Sequence, residues 1–392
     1  MTYTVIITLS VLVLVAYVFD LTSSKTKIPA VILLLLLGWV LKQVTIYLGI
    51  KITDLSPALP VLGTIGLILI VLEGSLELEL DRSKSALILK SFFIALIPMV
   101  GLAFGLAYLL EYFGFPDIRK NLLNVIPICI ISSAIAIPSV RGLSRLNKEF
   151  IIYESSLSDV LGLMLFNFVA INDHFNFRTL GDFTLQLLLI IAISFIATIG
   201  LAILLNKIGH HIKFIPIILL LLLIYAVSEV YHLPGLIFIL FFGLFIGNID
   251  QLRNIKWIEK LKPDELNKEV SKFKDLTSEA SFLIRSVFFL MFGFLIDTSA
   301  LLNIEISLWA VGITAGIFAM RAILLKLFRL PLSPLLFISP RGLITILLIL
   351  SIKPADAISI ISLPLILQIV IIMALMMMVG LMTDKTNRQK IQ

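Results

Sequence analysis

Residues 153–167 read YESSLSDVLGLMLFN, which sets Glu154, Ser155, Ser156, Ser158 and Asp159 into otherwise apolar surroundings. The stretch lies within an apolar segment over residues 151–171, long enough to cross a bilayer core as a single helix. Asp159 falls near its middle, about 13 Å from water at the rise of an α-helix. An ionised carboxylate at that depth costs on the order of 2.5 kcal/mol or more, so the residue reads as functional. On a helix Ser155 and Asp159 share one face at i, i+4, and Glu154 and Ser158 share the neighbouring face.

The rest of the chain is of the same kind. Of its 392 residues 59% are hydrophobic and the mean hydropathy is +1.10, values that no soluble core explains. Apolar runs between polar breaks predict an all-α polytopic membrane protein of about thirteen spans. They lie near residues 3–20, 28–48, 57–73, 85–111, 122–138, 151–171, 183–206, 213–229, 233–248, 280–300, 305–328, 334–351 and 357–382. The first run has no basic leader and no small-residue cleavage site, and it reads as a span that is retained. The single cysteine, Cys129, excludes a disulfide framework or a cysteine metal site within one chain.

Lysine and arginine give the orientation, because short basic loops stay cytoplasmic. Lys25, Lys27, Arg82, Lys84, Arg141, Arg145, Lys148 and the basic stretch 253–274 follow odd-numbered spans, as does the tail with Lys385, Arg388 and Lys390. Even-numbered spans are followed by far fewer: Lys42, Lys51, Arg119, Lys120, Arg178 and Lys353. The amino terminus is therefore expected outside and the carboxyl terminus in the cytoplasm. The net charge of +6 is met by anionic lipid headgroups, with no nucleic-acid partner required. Residues 249–279 mix both charge signs with apolar residues and read as an amphipathic linker on the cytoplasmic surface. No GxxxxGK[ST] or GxGxxG pattern occurs, so ATP is not evident as an energy source and no cofactor is expected. His174, His210, His211 and His232 fall at predicted loop edges and form no HExxH pair, which leaves an intramembrane enzyme without support.

Two spans look interrupted. The fifth, NVIPICIISSAIAIPSV (124–140), carries Pro127, Ser132, Ser133 and Pro138; the twelfth, SPLLFISPRGLITILL (333–348), carries Pro334, Ser339, Pro340 and Gly342. Unwound backbone at membrane depth is tolerated only where it lines protein or a wet cavity. Spans five and twelve run in opposite directions, as corresponding helices of two inverted repeats do, which points to a transport site at mid-membrane.

ESSLSD at 154–159 resembles the ESLLND sequence of the monovalent cation/proton antiporters, in the sodium/proton antiporter and exchanger branch, and it stands in the expected sixth span. LEGSLEL at 72–78 resembles the family's FEGGLEL, FFLMFGFLID at 288–297 its FFLxxGLxID, and SPRGLITILLIL at 339–350 its GLRGAVSLAL. Arg321, in GIFAMRAILLKL, matches the arginine of the family's IARxLxVL.

The resemblance implies the sodium/proton antiporter fold. Residues 85–172 and 305–382 would form the moving core; 1–84 and 183–300 would form a scaffold that makes a homodimer in the lipid of the plasma membrane, or the inner membrane of a bacterium. Asp159 would be the essential carboxylate that takes either the cation or a proton. Glu154 would pair with Arg321, Ser155 and Glu73 would line the cation site or its approach, and Arg341 would offset charge at the broken helix. The activity implied is exchange of a monovalent cation, Na+ first and Li+ or K+ next, for H+, with no resident metal. Two departures stand out. Ala136, Ile137 and Pro138 align with the family's Thr-Asp-Pro, leaving Ser132, Ser133 and main-chain carbonyls to serve the cation, and Ser158 replaces the branch's asparagine. A cation channel and a transport-inactive membrane sensor of the same fold are the rival readings of these residues.

Overall fold

The computed structural model describes residues 2–49, 58–78, 84–140, 142–172, scattered positions between 179 and 200, and 214–230, 235–248, 263–301 and 303–383. Among these, all regular structure is helical. The helices are α1 (Thr2–Thr26), α2 (Ala30–Tyr47), α3 (Ala58–Glu77), α4 (Ser85–Tyr112), α5 (Ile118–Cys129), α6 (Ser133–Ser139) and α7 (Arg145–Ile171). They continue with α8 (Phe214–Val230), α9 (Gly235–Gly247), α10 (Pro263–Leu295), α11 (Thr298–Leu301), α12 (Ile304–Leu327), α13 (Leu343–Ser351) and α14 (Leu363–Thr383). Eight described segments are long and apolar enough to cross a membrane, and α8 and α9 are shorter apolar helices. Each predicted span has its helix or broken helix except the seventh, which lies mostly outside the described residues, as do the four histidines and residues 249–262 of the linker.

The chain packs as two compact units. The first comprises Met1–Thr64, Lys90–Gly162 and Leu283–Gln392. It brings most of both expected core blocks together with α1, α2 and the end of α10. In it α2 and α10 cross closely, where Gly38 and Gly293 set backbone against backbone. A Cβ on Gly38 would fall 2.8 Å from the Phe294 nitrogen, and one on Gly293 would fall 2.9 Å from the Leu35 Cα. Polar side chains close the same crossing, since Trp39 Nε1 donates to Thr298 Oγ1 at 2.8 Å and Lys42 Nζ to the Ile296 carbonyl at 2.7 Å. Along α12 and α14 the buried residues Ala310, Ile313, Ile317, Leu365, Ile369 and Met373 supply the apolar filling.

The second unit comprises Ile65–Leu89 and Leu163–Phe282. Its core is mostly aliphatic, with an aromatic cluster in it: Phe273 and Phe242 are fully buried edge to face at 6.3 Å between centroids, with Phe214 at 5.9 Å from Phe273. Asn248 Nδ2 donates to the Leu78 carbonyl at 2.7 Å and so fastens the end of α9 to the end of α3.

Three features depart from the sequence reading. Helix α10 starts at Pro263, so the second half of the expected surface linker is the amphipathic beginning of the tenth span's own helix. Helix α7 begins at Arg145, a turn and a half before the apolar run that announced it. The twelfth span is helical only over Leu343–Ser351; before it the chain makes a turn over 333–337 and has no regular structure through 338–342.

Candidate functional site

The two interruptions meet inside the first unit. Helix α5 stops at Cys129, Ile130 takes extended dihedrals (φ −79°, ψ 130°), and α6 starts at Ser133. The Ser132 N–H donates to the Pro340 carbonyl at 2.8 Å, so the unwound residues of the fifth and twelfth spans hydrogen-bond to each other. The chain is close-packed at Gly342, where a Cβ would fall 2.6 Å from Ile135 Cδ1 and 2.8 Å from Ser132 Oγ and would displace those side chains.

Breaking a helix leaves carbonyls without partners, which a buried site must satisfy. Arg341, 2% exposed, answers for three of them: Nε donates to Ile128 O at 2.7 Å, Nη1 to Ser339 O at 2.7 Å and Nη2 to Cys129 O at 3.3 Å. It therefore holds the carbonyl end of α5 against the segment before α13. Arg341→Met should strand these acceptors at about 1–3 kcal/mol each. The expected result is a thermal unfolding midpoint several degrees lower in detergent, with the lost stability not recovered by added Na+.

Helix α7 brings its polar residues to this crossing. Ser158 Oγ accepts from the Ile131 N–H at 2.9 Å, and Asp159 Oδ2 accepts from the Ser133 N–H at 3.1 Å, at the amide end of α6. A carboxylate placed there is favoured by the helix dipole. Asp159 is 4% exposed, and its Oδ1 has no hydrogen-bond partner among the described residues. Ser155 is fully buried and donates to the Ile151 carbonyl at 2.7 Å, which leaves its oxygen lone pairs able to accept or to coordinate. One carboxylate oxygen is thus tethered and the other is open.

Glu154, one residue before Ser155, pairs with Arg321 of α12. Nη2 and Oε2 are 2.8 Å apart and a second bond joins Nη1 to Oε1, in the two-pronged arrangement that carboxylate and guanidinium favour. Arg321 also donates to Leu335 O at 2.9 Å and Ile338 O at 3.1 Å, at the carbonyl end of the turn that precedes the second break. The ion pair therefore fixes α7, α12 and that turn in one arrangement.

Of the residues singled out in the sequence, Glu154, Ser155, Ser158, Asp159, Ser132, Ser133, Arg321 and Arg341 are all buried in the first unit. Glu73 belongs to the second unit, where its Oε1 accepts from Ser278 Oγ at 2.8 Å. Ala136, Ile137 and Pro138, which the sequence resemblance sets against Thr-Asp-Pro, stand after the break and not at it. Those three residues lie within α6, and the unwound residues are Ile130–Ser132, so Ser132 and Ser133 occupy the place beside the crossing. Ser133 acts through its main-chain N–H, for which its side chain gave no sign. Sequence reading also passed over Arg285, whose Nη1 donates to Ala134 O at 3.3 Å in α6. It passed over Asn124, too, which is 1% exposed, donates to Asp356 O at 2.8 Å and accepts from the Ile358 N–H at 3.2 Å. An arginine inside FLIRSVFFLM and an asparagine inside the fifth apolar span were the available signals.

Two half-helices joined at their breaks, with a buried carboxylate at the amide end of one and arginines at the carbonyl ends, define a secondary transporter of the cation/proton antiporter class. The family described as sodium/hydrogen exchanger, transmembrane, matches residues 9–386, and the chain belongs to it. Comparison with curated protein sequences gives no match. Among solved structures the fold is similar to the sodium proton antiporter MjNhaP1 from Methanocaldococcus jannaschii at pH 8, with 18% identity and a TM-score of 0.68, covering 97% of this chain and 96% of that one. A structure of MjNhaP1 by electron microscopy gives 18% identity and a TM-score of 0.69 over 100% of this chain and 98% of that one.

Proposed function

We propose that the protein exchanges Na+ for H+ across the plasma membrane by alternating access, with Asp159 as the one group that carries both ions in turn. The observation that carries this reading is the half-satisfied carboxylate: Oδ2 is held by the Ser133 N–H, and Oδ1 is buried without a partner among the described residues. A proton or a dehydrated cation completes that oxygen, and each excludes the other. Oxygen ligands from Asp159 and Ser155 suit a hard monovalent ion such as Na+ or Li+ and also admit K+. Glu154 is held by Arg321 and exchanges no proton; it sets the position of α7.

The carrier works as a homodimer in lipid, with the amino terminus outside and the carboxyl terminus in the cytoplasm. The bias of basic residues supports the orientation, and the exposed apolar faces of α1, α2 and α8 fit a surface solvated by lipid and a second copy.

One exchanging acid gives one cation for one proton, because Ser158 has no proton to release near neutral pH. Na+-driven proton flux in liposomes carrying an internal pH dye should therefore keep the same end point when a potassium and valinomycin clamp steps the membrane potential. A reversal point that moves with voltage would show unequal charges exchanged and a second proton carrier. Adding Na+, Li+, K+ and Rb+ in turn to such liposomes without valinomycin ranks the cations, and silence toward all of them would remove the antiport reading.

A further inference from the structure

Four helix or turn ends meet where the broken spans cross, and three of them are answered by a charged side chain. Arg341 meets the carbonyl end of α5, Arg321 the carbonyl end of the turn before the second break, and Asp159 the amide end of α6. The fourth is the amide end of the nine-residue helix α13, whose N-cap is Gly342 and which receives no side-chain cap. Two hydroxyls stand there without partners among the described residues. Ser132 Oγ, 1% exposed, occupies the direction in which a side chain on Gly342 would grow, 2.8 Å from that Cβ position. Thr345 Oγ1, also 1% exposed, belongs to the first turn of α13, at the position from which side chains fold back on the N-cap. An amide end flanked by hydroxyl donors favours an anion and disfavours a cation.

The buried charges lead to the same place by a separate route. Among the described residues of the first unit the buried charged side chains are Glu154, Asp159, Arg321 and Arg341, which cancel when all are ionised. A cation on Asp159 leaves one positive charge over, in surroundings where an uncompensated charge is costly.

We propose that the amide end of α13, with the hydroxyls of Ser132 and Thr345, binds one small monovalent anion, chloride in ordinary media, which balances the cation-loaded site. The charge argument rests on the role of Asp159 proposed above. Ser132 and Ser133 are consecutive, so the anion and the Asp159 carboxylate are neighbours. The empty, ionised carboxylate repels the anion, loading favours it, and the coupling is reciprocal.

The test is the thermal unfolding midpoint of the purified protein in detergent, titrated with sodium chloride or sodium bromide against sodium isethionate at matched Na+ and ionic strength. Chloride and bromide should raise the midpoint saturably, and isethionate, a much larger anion, should not. Thr345→Val should raise the half-saturating chloride concentration about tenfold, as expected for one lost hydrogen bond to an anion. Thr345→Asp puts a fixed carboxylate at the pole and should abolish the chloride response. Asp159→Asn, which cannot carry the repelling charge, should lower the half-saturating chloride concentration several-fold, a gain that misfolding cannot imitate. A chloride response that is absent, or equal in the wild type and all three variants, overturns the proposal and leaves the pole to water. Exchange in liposomes tests the role of Asp159 separately, so the two readings fail by different measurements.

Discussion

Asp159→Asn protein, inserted and folded, is expected to show no cation-dependent proton flux above that of empty liposomes. The amide keeps the volume of the carboxylate and can accept the Ser133 N–H through its oxygen, so the crossing of the broken spans survives. What is lost is the cycle between an ionised and a neutralised state, because an amide neither takes up a proton near neutral pH nor presents a charge to a cation. The unfolding midpoint should stay close to that of the wild type while exchange disappears. Cation-driven proton flux retained in this variant would move the centre of the mechanism away from Asp159.

The second large effect falls on stability. Glu154→Gln leaves the Arg321 charge buried in the first unit with no negative partner, only neutral acceptors: the new amide oxygen and the carbonyls of Leu335 and Ile338. Removing one partner of a desolvated pair costs about 3–5 kcal/mol, because the remaining charge stays uncompensated. The double change Glu154→Gln with Arg321→Gln removes both charges and should recover part of that loss. Chemical or thermal unfolding of the four proteins gives the coupling directly. A double variant whose loss equals the sum of the singles would show that the pair does not couple α7 to α12. Glu154→Gln should also keep measurable exchange at low temperature, since it holds the site without carrying an ion.

Much of this site was legible because a lipid-spanning chain makes every polar residue conspicuous. Glu154, Asp159 and Arg321 stand in apolar runs where charge is costly, and burial of all three follows from the same physics. The interrupted spans were visible in their prolines and small polar residues, yet the prolines do not mark the breaks. Pro127 and Pro138 both lie within helices, and the unwound residues are Ile130–Ser132. Their position is set by the Ser132 to Pro340 hydrogen bond and by Arg341 on the carbonyls of Ile128 and Cys129, contacts more than two hundred residues apart in sequence that no local pattern encodes. Main-chain donors such as the Ser133 N–H carry no residue-type signal. Hydropathy also stops where lipid stops, which is why α10 and α7 begin well before their apolar runs. Helical hydrogen bonding continues into water wherever one face remains packed.

The central claim is that proton and cation compete for the same carboxylate, and the half-saturating Na+ concentration measured against pH tests it most directly. With equal pH on both faces of the liposome membrane, competition at one group requires that this concentration be constant at high pH. Below the titration of the group it should rise about tenfold for each unit of falling pH, while the maximal rate at saturating Na+ is much less affected. That is the result predicted for Asp159 as the shared site. A half-saturating concentration that stays flat while the maximal rate falls with acidity would place the proton and the cation on different groups, and would contradict the account.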